Sequence, residues 1–105
     1  MKTIGLIGGM SWESTQTYYR LVNQHVRTAL GGLHSAKVVL YSVDFADIEA
    51  LQHQGDWQAT AEILGAAGKA VEAAGADFLV LCTNTMHKVA EPLEAAVSIP
   101  LLHIA

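Results

Sequence analysis

The stretch "VLCTNTMHKV", residues 80–89, holds the side chains best suited to acid–base chemistry. Cys82, the only cysteine of the chain, follows an apolar run and precedes Thr83, Asn84 and Thr85. A thiol just before a helix N-terminus feels the positive end of the helix dipole, which lowers its pKa below the usual value of about 8.5. We therefore expect a thiolate fraction at neutral pH, with three polar neighbours able to cap the helix or to donate hydrogen bonds to an anionic ligand.

Other roles for Cys82 compete with this one. A lone cysteine after an apolar strand is more often a small packing residue than a catalyst. Cys82 and His87 could form a cysteine-hydrolase pair, although a histidine in the first helical turn can also point away from the thiol. These two residues are too few for a zinc site, and no other histidine has zinc-ligand spacing, so we expect no metal.

A second candidate region is the glycine-rich segment "GLIGGMSWEST", residues 5–15. It does not fit the G-x-G-x-x-G fingerprint, and no P-loop lysine follows, so the segment supports a nucleotide site only weakly. Gly8 and Gly9 would allow close backbone approach, with free N–H groups at a helix start able to hold a carboxylate or phosphate. A tight turn without a ligand explains them equally well. Glu13 and Asp44 are each as readily helix-end or solvated carboxylates as site residues.

The elements that must position these side chains alternate between short apolar runs and longer helical periodicities. Such alternation is typical of βα units around a parallel sheet covered on both faces. We predict an α/β fold of three αβα layers with a four-stranded parallel sheet in the order 2-1-3-4. In that order the loops after the first and third strands meet at the switch point where ligands bind. The predicted strands cover residues 3–8, 36–43, 76–82 and 99–105, and the predicted helices residues 16–30, 44–55, 57–74 and 85–97.

Several residues set the expected ends and packing of the helices. Ser14 or Thr15 is expected to cap the first helix and Asp56 the third. Gly65 and Gly68 lower helix propensity, so we expect them where a helix packs closely on the sheet. Pro92 must either kink the last helix or begin its second segment.

The composition excludes several classes of function. The chain has 105 residues, 51% hydrophobic and 15% charged, with a net charge of −4 and no cluster of lysine and arginine. Nucleic acids and anionic membranes are therefore poor partners, and no apolar stretch is long enough for a membrane span. A single cysteine cannot form an internal disulfide and suits a reducing cytoplasm. The low charged share suggests an apolar surface that something else covers.

The segments "KTIGLIGGMSWEST" and "LCTNTMHKVAE" closely resemble the aspartate/glutamate racemase family, in its broad-specificity amino-acid racemase branch. The likeness continues through "GGLHSAKVVLYSVDF" to the terminal "PLLHIA". It implies racemisation without pyridoxal phosphate or another cofactor, by two cysteine-type bases on opposite faces of the substrate Cα. Carried over by motif, Cys82 is one base. By the same resemblance, Thr83, Asn84 and Thr85 would bind the substrate's carboxylate and amino groups, and Met10 and Gln52 would line the pocket.

The resemblance also implies that part of the enzyme is missing. Family members are roughly twice this length, with two similar α/β lobes and the second cysteine in the other lobe. We therefore expect residues 1–105 to be a single lobe, the N-terminal half, with little or no racemase activity alone. A cytoplasmic homodimer that takes aspartate, glutamate or a similar amino acid is expected for the enzyme. The alternative is a non-catalytic lobe that binds small carboxylates or serves assembly.

Overall fold

The computed structural model describes residues 1–82 and 87–102, with the side chains of all these residues except 87–89. Strands and helices alternate along the chain, as the apolar patterning predicts. The elements are β1 (Thr3–Gly8), α1 (Trp12–Leu30), β2 (Lys37–Ser42), α2 (Phe45–His53), α3 (Trp57–Ala73), β3 (Phe78–Leu81), α4 (His87–Ala96) and β4 (Leu101–Leu102).

The four strands form one parallel sheet in the order β2-β1-β3-β4, which confirms the predicted topology. Ile7 of β1 is paired with Tyr41 of β2 on one side and with Leu81 of β3 on the other. The three strands therefore reach the same edge of the sheet with their carboxyl ends. The predicted fourth strand is confirmed only at Leu101 and Leu102, and its positions 103–105 lie outside the described residues.

The start of α1 differs from the prediction. The N-cap is Ser11, whose hydroxyl accepts the Ser14 N–H at 3.4 Å, and the helix begins at Trp12. Ser11 takes the capping position because it is the residue with extended backbone, at φ −152°, where the glycine turn ends. The capping role predicted for Ser14 or Thr15 is therefore wrong. Asp56 caps α3 as predicted, with its carboxylate accepting the Ala59 N–H at 3.0 Å.

The main hydrophobic core lies between one face of the sheet and the helices α2, α3 and α4. Side chains at alternate positions of a strand point to the same face, so the odd-numbered residues of β1 and β3 share this side. The core has completely or almost completely buried members from the sheet and from all three helices, among them Ile7, Ile48, Leu64, Val71, Leu79, Leu81 and Leu93.

The two glycines of α3 pack mainly against α4 rather than against the sheet. A Cβ at Gly68 would lie 2.8 Å from Leu93 Cδ1 and 3.2 Å from Val97 Cγ1, and one at Gly65 would lie 3.3 Å from Ala96 Cβ. The prediction of close packing is therefore confirmed, but the partner is a helix. Pro92 lies inside α4, which continues through it, so Pro92 does not begin a separate helical segment.

The opposite face of the sheet is covered by α1 alone among the described helices. Tyr18, Val22 and Val26 are half-buried on its inner side, whereas Ala29 is exposed. No helix within residues 1–82 and 87–102 is long and apolar enough to cross a membrane.

Candidate functional site

The carboxyl ends of β1, β2 and β3 are joined by backbone hydrogen bonds. The Cys82 N–H donates to the Ile7 carbonyl at 2.9 Å, and the Val43 N–H donates to the Gly8 carbonyl at 2.8 Å. Cys82 therefore lies directly beside the strand end that leads into the glycine turn. The predicted convergence of the segments after the first and third strands is confirmed as far as Cys82.

The glycine turn after β1 is held from two sides. Gly9 has a φ of +93°, and a side chain there would collide with the backbone of Val43. On the other side Thr15 is 4% exposed. Its hydroxyl accepts the Gly9 N–H at 3.0 Å and donates to the Ser11 carbonyl at 3.2 Å. The Gly9 N–H is thus used inside the chain, so the expectation that it is free to bind an anion is wrong.

Cys82 is completely buried, and its Sγ lies 3.9 Å from the Val80 carbonyl oxygen. Burial raises the pKa of the thiol from 9.0 to about 12, because the thiolate loses its hydration. The predicted lowering of this pKa by a helix dipole is therefore wrong. Removal of the thiolate from water outweighs any stabilisation by the positive end of a helix.

Tyr18 of α1 is a neighbour of the thiol that the sequence analysis did not identify as a site residue. Burial raises the pKa of Tyr18, and the negative charge of an ionised Cys82 raises it further. The phenol of α1 therefore lies close enough to the thiol at the end of β3 to feel its charge when that thiol ionises. A tyrosine on the inward side of a helix, next to Val22, was the available signal, because its hydroxyl must reach a polar environment.

The other predicted site residues are placed differently. Met10 is 5% exposed and belongs to the hydrophobic core cluster with Ile7 and Ile48. Gln52 is half-buried in the last turn of α2, and its carbonyl accepts the Gly55 N–H at 3.0 Å. Their roles in substrate binding stay predictions. Thr83, Asn84 and Thr85 lie outside the described residues, as does the side chain of His87.

Glu13 and Asp44 have roles at helix ends. Glu13 accepts a hydrogen bond from the Ser11 hydroxyl at 3.3 Å, and Asp44 accepts the Ala46 N–H at 3.1 Å as the N-cap of α2. Within the described part of the chain, no three side chains of His, Cys, Asp or Glu are placed to share a metal ion. Cys82 and its neighbours therefore carry the candidate chemistry.

Comparison with known proteins shows similarity to racemases over almost the whole chain. The sequence profile of the Asp/Glu/hydantoin racemase family matches residues 7–105. A crystal structure of a Yersinia pestis protein, described as a candidate Asp/Glu racemase, superposes with a TM-score of 0.96 at 63% sequence identity over 98% of this chain. The structure of an aspartate racemase homologue from Pyrococcus horikoshii OT3 superposes with a TM-score of 0.86 at 33% identity over 97% of this chain.

Both solved structures are of longer chains. The matched region is 45% of the Yersinia pestis protein and 44% of the Pyrococcus horikoshii protein. The 105 residues therefore span less than half the length of either one.

Proposed function

Since the chain belongs to the Asp/Glu/hydantoin racemase family, we propose that it is one lobe, the N-terminal half, of an amino-acid racemase that needs no cofactor. Aspartate, glutamate or a similar amino acid is the proposed substrate. The observation that carries the proposal is the position of Cys82. This single thiol lies at the carboxyl end of β3, hydrogen-bonded through its N–H to β1 and beside the glycine turn. The carboxyl ends of parallel strands are where such folds bind ligands.

The proposed reaction moves two protons at one carbon. A thiolate removes the α-proton of the amino acid, and the electron pair of the broken C–H bond delocalises into the substrate carboxylate. A thiol on the opposite face then donates its proton to Cα, which gives the mirror-image product. Because the α-proton is very weakly acidic, the site must stabilise the developing negative charge with preorganised donors.

In this reaction Cys82 starts as the proton donor. With a pKa raised to about 12 it is a neutral thiol at physiological pH. It can act as the base only through a small thiolate fraction, which makes proton removal by this lobe alone slow and which the second lobe would increase. Because Sγ is completely buried, substrate reaches it only when neighbouring groups move.

The proposed binding groups include the polar segment directly after Cys82. Thr83, Asn84 and Thr85 would hold the substrate's carboxylate and amino groups, and Met10 and Gln52 would line the pocket. The internal use of the Gly9 N–H supports placing the carboxylate donors in the segment after β3 rather than in the glycine turn.

The second acid–base group must come from outside these residues, since the chain has one cysteine. We propose that it belongs to a second lobe, that the enzyme is a homodimer, and that it acts in the cytoplasm, where a free thiol stays reduced. Residues 1–105 by themselves should therefore show little or no racemisation.

Exchange of the substrate α-proton with deuterium tests the assignment of Cys82. The purified chain is incubated with L-aspartate or L-glutamate in D₂O, and NMR measures deuterium at Cα while chiral chromatography measures inversion. We expect slow exchange without inversion, which Cys82→Ala removes and which Thr17→Ala, an exposed change on α1, leaves intact. Rapid racemisation by the chain alone would contradict the single-lobe proposal, and exchange by Cys82→Ala would exclude the thiol.

The burial and raised pKa of Cys82 favour a second candidate function, a lobe that binds small carboxylates without turning them over. The two are separated by a protection experiment. If aspartate slows alkylation of Cys82 but no deuterium enters Cα, the chain binds without catalysing. If deuterium enters Cα in the chain but not in Cys82→Ala, the catalytic assignment holds.

A further inference from the structure

We propose that a groove beside α1 is a binding site for a small polyanion, a molecule with two or more phosphate or carboxylate groups. The groove has a volume of about 790 Å³ and lies between α1 and the segment that joins α1 to β2. This site goes beyond the racemase function and uses none of the residues assigned to the substrate. It depends on three features of this region: its charge, the donors on its two walls, and the hydrogen bonds that fix its shape.

Charge is distributed unevenly along the chain. Residues 14–43 hold Arg20, Arg27 and Lys37, which are three of the six lysines and arginines. All ten aspartates and glutamates lie outside this range, and the chain as a whole has a net charge of −4. Residues 14–43 are therefore a positive region within an acidic protein. An approaching anion is attracted to this region and repelled by the remainder of the chain.

Two arginines of α1 form the positive wall of the groove. Arg20 and Arg27 both line it, and both are exposed. They are seven residues apart, so they lie on the same side of the helix, about 10 Å from each other along its axis. Two long side chains can close this distance over one ligand. Among the described residues that line the groove there is no aspartate or glutamate. Each guanidinium therefore has two parallel N–H donors to offer to an external phosphate or carboxylate.

The second wall of the groove comes from the segment after α1 and carries further donors. His34 and Ser35 line the groove from this segment. A histidine ring has at least one N–H donor in either protonation state, and a serine hydroxyl can also donate. An anion bound by the two arginines thus meets hydrogen-bond donors from both walls. This arrangement differs from an ordinary surface ion pair, in which a charge is contacted from one side only.

Hydrogen bonds within the chain fix the distance between the two walls. The amide of Asn23 donates to the Tyr19 carbonyl and accepts the Ala36 N–H, each at 2.9 Å, so it joins α1 to the start of the next strand. Gly31, with φ +73°, lets the chain reverse, and its carbonyl accepts the His34 N–H at 3.2 Å. The groove is therefore formed before a ligand arrives. A preformed site loses less conformational entropy on binding than one that must be ordered by its ligand.

The size and charge of the groove select a small molecule with more than one acidic group. Its volume of about 790 Å³ lies within the range of roughly 300–1,000 Å³ that is usual for small-molecule sites. A singly charged anion would pair with one arginine and leave the other without a partner. A nucleic acid or an anionic membrane would extend beyond the groove and meet the acidic remainder of the chain. A compact polyanion matches both arginines and avoids this repulsion.

Titration with tripolyphosphate and with citrate tests the site, and the comparison separates phosphate from carboxylate ligands. Isothermal titration calorimetry at low ionic strength is performed on the wild type, Arg20→Gln, Arg27→Gln and Arg20→Lys. We expect at least one probe to bind with a dissociation constant on the order of 1 mM or lower. Each glutamine variant should weaken binding on the order of tenfold, because it loses a charged bidentate donor. Arg20→Lys keeps the charge without the fork of donors and should weaken binding less.

Control measurements separate this groove from net charge and from the candidate racemase site. Lys69→Gln removes the same charge from an exposed position of α3 and should bind as the wild type does. Amide chemical shifts in NMR should change along α1 and residues 31–36, and not around Gly9 or Cys82, while circular dichroism checks that each variant stays folded. The proposal is overturned if neither probe binds at concentrations on the order of 10 mM. Glutamine variants that bind normally, or an equal loss in Lys69→Gln, would also overturn it.

Discussion

At the scale of the residue, the chemistry of Cys82 depends on its burial more than on its place in the sequence. Its position at the end of β3 is the one predicted from the apolar run. The helix dipole expected to lower its pKa acts over about one turn, whereas removal of the thiolate from water acts wherever the side chain is enclosed. In the structure the thiol of Cys82 is completely buried, and the pKa of its neighbour Tyr18 is raised as well. The resting group is therefore a thiol.

Alkylation of Cys82 should reflect this protonation state. Only the thiolate reacts with iodoacetamide, so the folded chain at pH 8 should react at least on the order of a hundredfold more slowly than free cysteine. Its rate should keep increasing up to the highest pH at which the fold persists, since the pKa is about 12. The measurement is the rate by mass spectrometry across pH, with the urea-unfolded chain as control. A plateau near pH 8.5 would show instead an ordinary or activated thiol.

At the scale of the element, glycines set how closely the layers approach. Gly9 brings the turn after β1 against the backbone of Val43, and Gly68 brings α3 against Leu93 of α4. The two positions require glycine for different reasons. Gly9 requires a positive φ as well as space, whereas Gly68 has ordinary helical geometry and requires only space. A motif search finds the first kind, because it lies in a recognisable turn, and has no means to identify the partner of the second.

Substitution of Gly68 by Val should separate α3 from α4. The added side chain would meet Leu93, which is completely buried, so overpacking should lower the free energy of unfolding by about 1–3 kcal/mol. Urea denaturation followed by circular dichroism measures the change. Ala70→Val, at an exposed position of the same helix, is the matched control and should change stability by less than about 1 kcal/mol. Equal effects at the two positions would argue against close packing at Gly68.

At the scale of the whole molecule, burial of acidic groups links stability to pH. The thiol of Cys82 has a higher pKa in the folded chain than the ordinary 9.0, and the pKa of Tyr18 is raised above 10.0. Both groups bind protons more strongly when folded. Their contribution to the free energy of unfolding is complete below the pKa values of the unfolded chain. It is lost as the pH increases toward the pKa values of the folded chain. For Cys82 the loss falls between pH 9.0 and about 12.

The wild type should therefore lose stability between pH 9 and 11 faster than Cys82→Ala does. Three units of pKa correspond to an upper limit of roughly 4 kcal/mol for the complete titration. Denaturant unfolding at each pH gives the difference between the two proteins, in which alkaline effects common to both cancel. Tyr18→Phe should remove a further part of the dependence of stability on pH. Parallel curves for wild type and Cys82→Ala would mean that the thiol is not titrating differently in the folded chain.

Much of the architecture follows from the sequence by itself. Continuous apolar runs predicted the strands, helical spacing predicted the helices, and the alternation of the two predicted a parallel sheet. The predicted order 2-1-3-4 is the common one for such folds. Those signals are local or follow from general rules of chain connection. They also place Cys82 beside the glycine turn, and the motifs around both indicate the racemase family.

Only the tertiary structure decided which atoms of different elements come into contact. The use of the Gly9 N–H by Thr15, the packing of Gly68 on α4 and the interaction of Tyr18 with Cys82 each depend on how elements come together. The protonation state of Cys82 belongs to the same group, because desolvation is the sum of everything that surrounds a thiol. Periodicity along a sequence identifies the buried side of each element. Which atoms meet there, and how much water they exclude, is settled only when the layers pack.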